Sequence, residues 1–280
     1  MQAAAQHDLA QRAAASVNER VNGRAAQVRR SFVVAEKNKD SPAAIMLRGG
    51  RGGEVRLKLY LSLLWFASSP PHDATYPARA WAALLGLNDP AGNGARRIND
   101  AFAWLDENRF VQLVRQPGHP STAYLRMETG SGAPYDVPGA VMRAIPDQLK
   151  QARAPHRYFQ IPASFWVNGW VVELSGAATV MLLALMAETR EGEETKGTWF
   201  SQSVAAERFK LSPQTRSKGL RELEYQHLIG VRRESLADQD PFAPMKTRNV
   251  YTLRREALAE NVPRPRQLTR AEMKLAIDRP

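Results

Sequence analysis

Cysteine is absent from all 280 residues, so disulfides, thiolate zinc sites and cysteine nucleophiles are excluded. Long apolar runs are missing too. The most apolar stretch, Ala177 to Ala187, has 11 residues, whereas a helix crossing a bilayer needs about 20. Acid is in short supply: 28 Asp and Glu stand against 39 Lys and Arg, a formal net charge of +11. Such a surplus favours a polyanionic partner or a membrane surface without naming one. It is spread along the chain with no polybasic block, which points to several modest contact surfaces rather than one basic tail. The first residues lack a basic-then-apolar signal pattern, so a soluble, cytoplasmic protein without membrane contact is expected.

The usual constellations of catalysis and metal binding are also missing. His7, His72, His119, His156 and His227 are scattered without metal-ligand spacing. Glu191, Glu193 and Glu194 sit in a Gly-bounded loop with no His nearby and read as solubilising charge. Gly130-Ser131-Gly132 lacks the strand-to-helix setting of a nucleophile elbow. Arg48 to Gly53 lacks the Gly-Lys-Ser/Thr ending of a phosphate-binding loop and reads as a flexible hinge. A nuclease would need clustered carboxylates for Mg²⁺. The expectation is a non-enzyme with no catalytic residue, metal or cofactor.

What is present is organised as two similar halves. Residues 3 to 31, rich in Ala, Arg and Gln, read as a loosely attached helical arm. Val55 to Ala67 is an apolar helix that Ser68-Ser69-Pro70-Pro71 ends. Pro77 opens a second helix to Leu87, and a third runs from Ala95 to Asn108 with Ile98, Phe102 and Leu105 inward. Phe110-Val111 then leads into a short strand, a polar loop over Pro117 to Ser121, and a returning strand to Arg126. In the second half Ser175 caps a helix to about Thr189, and Thr198 to Phe200 supplies a small strand. Ser201 or Ser203 opens the next helix, and Ser212-Pro213 starts the last, which buries Leu220 and Leu223. Leu228-Ile229 enters a second strand, loop and strand ending at Arg254. Leu105 and Leu223 are equivalent positions, 118 residues apart.

Three helices closed by a β-hairpin make a winged helix, so the fold expected is α+β, mainly α, with two winged helices in tandem. The divisions are an N-terminal arm and hinge over 1–54, a first winged helix over 55–127 and a linker over 128–157. A second winged helix over 158–256 and a basic tail over 257–280 follow. The segment Leu211 to Ile229, with its capped Ser/Thr/Arg-rich first turn and Leu220–Leu223 core face, resembles the recognition-helix region of bacterial winged-helix regulators. In the first half Arg96-Arg97-Ile98-Asn99-Asp100 stands where that turn would be. By architecture the chain is also similar to plasmid replication initiators, which place two winged helices on successive major grooves of an iterated origin.

These resemblances imply sequence-specific binding of double-stranded DNA, in plasmid or mobile-element replication initiation or in transcription regulation. Further partners would be a second copy of the chain or the replication or transcription machinery. A recognition helix presents its first turns to base edges. In the first half the candidate contacts are Asn93, Arg96, Arg97 and Asn99, with His119 and Ser121 in the loop. In the second they are Gln214, Thr215, Arg216, Lys218 and Arg221, with Lys246, Thr247 and Arg248 beside the longer loop. The six Trp residues are assigned mainly to the core. The competing expectation is a winged-helix protein-interaction scaffold without specific DNA readout.

Overall fold

The computed structural model describes residues 2–36, 39–49, 51–189, 196–236, 246–260 and 262. Its architecture is α+β and mainly helical, with three small antiparallel sheets. At the centre of the first half lies α3 (Arg51–Phe66). Leu57, Leu59, Tyr60, Leu61, Leu63, Leu64 and Trp65 are all buried, so this helix is covered on every side, as an all-round apolar helix must be. After it come β2 (Asp73–Thr75), α4 (Ala78–Leu84), α5 (Asn93–Glu107), β3 (Val111–Val114) and β4 (Thr122–Leu125). The strand order is β2-β4-β3, with Thr75 opposite Thr122 and Val111 opposite Leu125. β2 was not anticipated, because Asp73-Ala74-Thr75 carries no apolar alternation and is held by its pairing with β4.

The second half repeats this order. After α8 (Ser164–Val167) and α9 (Trp170–Glu173) come α10 (Gly176–Glu188), α11 (Gln202–Phe209), α12 (Pro213–Tyr225), β6 (Ile229–Leu236) and β7 (Lys246–Leu253). Ser175, Ser201 and Ser212 each cap a helix, their hydroxyls accepting from Ala178, Val204 and Thr215 N–H. Thr198 exchanges both backbone hydrogen bonds with Tyr251, at 2.7 and 2.8 Å. β7 therefore lies between Thr198 and β6, just as β4 lies between β2 and β3.

Three expectations fail on the segments that flank these halves. The arm is not loose. In α1 (Gln2–Arg20), Ala10 and Ala14 are buried where the helix packs on α4 and α8, since alanine lets helices approach closely. β1 (Ala26–Arg29) pairs with β5 (Tyr158–Ile161), and Val28, Phe32, Val33 and Met46 are fully buried. Nor is the glycine-rich stretch a hinge: residues 51 to 53 begin α3. A Cβ on Gly53 would lie 2.2 Å from the Leu47 carbonyl oxygen, so glycine here serves close packing against α2 (Pro42–Leu47). The linker, finally, is packed at its start. Glu128 and Arg29 form a buried ion pair, Arg29 N–H donates to Glu128 Oε1 at 2.8 Å, and Tyr135 is buried beside them. Two short helices, α6 (Pro138–Ala144) and α7 (Lys150–Arg153), occupy the rest.

One continuous hydrophobic cluster runs through both halves. Trp65 and Trp166 stack at 4.5 Å, and Trp166 Nε1 donates to Ser62 Oγ at 2.9 Å. The N-terminus of α10 is a junction: Gly176 N–H donates to Glu54 of α3, and Ser175 N–H and Oγ donate to Glu222 of α12. Carboxylates suit that end of a helix, where orphan N–H groups and the dipole are positive.

Candidate nucleic-acid interface

The helical phase of α12 sorts its polar residues. Arg216, Gly219 and Leu223, at i, i+3 and i+7, point inward and pack on α10. Gln214, Ser217, Lys218, Arg221 and Tyr225 share the opposite, exposed face, with Tyr225 50 % exposed. Arg216, expected at the surface, is therefore corrected to a core-facing position, 7 % exposed. Burial lowers its guanidinium pKa, and Tyr251 works against that shift. The sequence held the signal: Arg216 lies four residues before Leu220 and seven before Leu223, the two leucines assigned to the core. Thr215 is half-buried, its hydroxyl 2.8 Å from that of Ser212. It belongs to the cap more than to the open face.

The equivalent face of α5 is charged differently. Ile98, Ala101 and Leu105 are inward, while Asn93, Arg96, Asn99, Asp100 and Glu107 are exposed. The Asp89 carboxylate caps the tip, accepting from Gly92 N–H at 3.1 Å and Asn93 N–H at 2.8 Å. Arg97 is half-buried and turned toward α3, where it lines a shallow recess with Gly52, Arg56 and Trp104. The Arg56 guanidinium sits 4.4 Å over the Trp104 ring. Burial pushes the Glu54 carboxyl up, but Lys58, the Gly176 N–H and Arg97 together hold it below its ordinary value.

Both hairpin loops are polar. His119 and Ser121 are exposed in the loop between β3 and β4. Near the loop end of the second hairpin Arg248 donates to Glu234 Oε2 through Nε (3.1 Å) and Nη2 (2.9 Å), while Arg232 donates to Oε1. Those hydrogen bonds, from Arg248 first and Arg232 second, keep the Glu234 carboxyl below the usual range. Thr247 is exposed, whereas the Lys246 side chain and residues 237–245 lie outside the described residues, as do Glu191, Glu193 and Glu194 and the tail beyond 262. Four tryptophans, Trp65, Trp81, Trp166 and Trp170, are buried, and Trp104 is partly so.

Trp199 departs from the core assignment. It is 49 % exposed, with the Arg248 guanidinium 4.3 Å over its ring. In the short extended segment around Thr198, neighbouring side chains alternate faces. Phe200 packs on Phe209 and Tyr251, so Trp199 is turned out. Trp199 and Phe200 are both aromatic, so it is the pairing of Thr198 with Tyr251, not the local pattern, that decides which of the two faces out.

Among the described residues there is no group of three or more His, Cys, Asp or Glu able to hold a metal, and no helix long and apolar enough to cross a membrane. No family model, curated protein or solved structure matches the chain.

Proposed function

We propose that this chain is a sequence-specific double-stranded DNA-binding protein built from two winged helices, with α12 as its principal reading helix. The observation that carries the reading is the twofold recurrence of helix, extended segment, helix, helix and hairpin, with the returning strand paired on its far side to that extended segment, β2 in the first half and the single bridge at Thr198 in the second. In such a module the helix before the hairpin enters the major groove, and the hairpin loop reaches the backbone or minor groove. Gln214 and Arg221 carry the chemistry for base edges, Gln toward adenine and Arg toward guanine, each contact discriminating by about 1–3 kcal/mol. Lys218 suits a phosphate, which fixes register without reading sequence. In the first module Asn93, Arg96 and Asn99 are the open candidates, and Arg97 stands at the edge.

Replication initiation and transcriptional control both suit a protein of this kind, and a footprint separates them. Direct repeats spanning about two helical turns, bound by one chain, favour an initiator; a palindrome bound by two chains favours a regulator. Sites selected from a random duplex library by the full chain provide the probe. Arg221→Ala should weaken the selected site by about 10- to 100-fold and random duplex far less. Equal losses on both would make Arg221 a phosphate contact. Failure to select any site would remove the reading. One observation favours a second reading for the first module alone: Asp89, Asp100 and Glu107 at the open side of α5 are ill suited to phosphates and better suited to a basic protein surface.

A further inference from the structure

The open face of α12 ends in an aromatic side chain. Gln214, Lys218, Arg221 and Tyr225 lie at i, i+4, i+7 and i+11, a spacing that keeps all four within about 40° of one line along a helix. Each is exposed, and Tyr225 is half so. With 13 residues, α12 is about 20 Å long, whereas the major groove is about 12 Å wide. A helix whose first turn meets base edges therefore has its last turn over a sugar–phosphate wall. Glu224 is exposed as well, but one residue earlier it points about 100° away round the helix.

The matching place in the first half holds a carboxylate. With Leu105 and Leu223 equivalent, Glu107 corresponds to Tyr225, and Glu107 is exposed. Two residues further on, Arg109 and His227 both take left-handed backbone, at φ 63° and 57°, which confirms the register. A carboxylate repels a phosphate, while a phenol can donate a hydrogen bond to one. The two helices thus end in opposite chemistry.

We propose that Tyr225 is a DNA-contact residue, its hydroxyl donating to a phosphate on the wall of the groove that α12 enters. The inference rests on the DNA-binding reading and deepens it. Such a contact fixes the register of α12 on the duplex without reading sequence. Because the phenol is neutral, it displaces no condensed cation, so its loss lowers affinity and leaves the salt dependence as it was. No equivalent contact forms beyond α5.

Tyr225→Phe in the full chain tests this, on the selected duplex and on random duplex, each at several salt concentrations. The substitution removes one exposed hydroxyl and should leave the melting temperature unchanged. The expected result is a loss of about 10- to 100-fold on both duplexes alike, as a bond to a charged group implies, with the same salt slope as the parent. Neutral methylphosphonate placed at single linkages of the selected duplex should find one position that weakens the parent and weakens Tyr225→Phe no further. Unchanged affinity in the variant, or no linkage with that pattern, overturns the inference and leaves the DNA-binding reading standing. Loss confined to the selected duplex would make Tyr225 a base contact and overturns it too. A parent chain that binds no duplex removes both.

Discussion

Replacing Gly219 by alanine tests how α12 is seated. Helix propensity alone favours the change, since alanine is about 1 kcal/mol better than glycine in a helix interior. The surroundings oppose it. A Cβ at Gly219 would lie 2.3 Å from the Ala177 carbonyl oxygen, 2.8 Å from its carbon and 2.8 Å from Met181 Cγ. Met181 can turn aside, but Ala177 belongs to the first turn of α10, which Ser175, Glu54 and Glu222 hold. It is α12 that must retreat. Overpacking costs about 1–3 kcal/mol, and a collision with backbone belongs at the upper end. After the propensity gain, Gly219→Ala should lose about 2 kcal/mol. For a chain of this size that is a fall in Tm of roughly 4–8 °C. Gly52→Ala is the control: Gly52 is exposed and helical, and its Cβ would meet only Arg56 Nη2 at 3.8 Å. A gain of up to about 1 kcal/mol is expected there. Thermal and urea unfolding of the three proteins should show opposite signs for the two substitutions. A Gly219→Ala protein as stable as the parent would refute the close seating of α12.

The buried Arg29–Glu128 pair leads to a second expectation. Arg29→Met strands a fully buried carboxylate and should cost about 3–5 kcal/mol in urea unfolding, while Arg29→Met with Glu128→Leu should recover most of it; strictly additive losses would mean that the two are not coupled. Glu54→Gln should lower Tm near neutral pH by removing the charge that faces the buried Lys58 ammonium, 2.7 Å away. Because the folded Glu54 pKa is lowered, its contribution is complete above the unfolded value of about 4.3 and disappears as pH falls through the folded value. A Tm difference that stays constant down to pH 3 would contradict this account. Deleting residues 1 to 47 should abolish cooperative unfolding, because it removes the partner of β5 and Arg29 along with Phe32 and Met46. A shortened chain with the parent Tm would show the arm to be dispensable.

Local signals made much of the helical framework legible. Ser175 and Ser212 announced their helices, and Ser201 did so as one of two candidates with Ser203, because a hydroxyl three residues before an N–H acts within one turn. Ser68 to Pro71 ended α3, and the two hairpins fell where paired apolar residues met polar loops. Reading phase more closely would also have turned Arg216 inward. Trp199 was missed because a bridge as short as Thr198 leaves too little alternation to measure a period of two.

By itself the sequence determined charge, the absence of thiol chemistry, the capped helix starts at Ser175 and Ser212 and the helix-then-hairpin order that occurs twice, all of which depend on residues within a few positions of one another. Tertiary structure decided that Arg29 meets Glu128, that β1 pairs with β5, and that Gly53 and Gly219 are contacts rather than joints. Those choices depend on which surfaces meet after the chain has turned back on itself. A buried charge or a missing Cβ finds its partner through packing, across separations that no local pattern encodes.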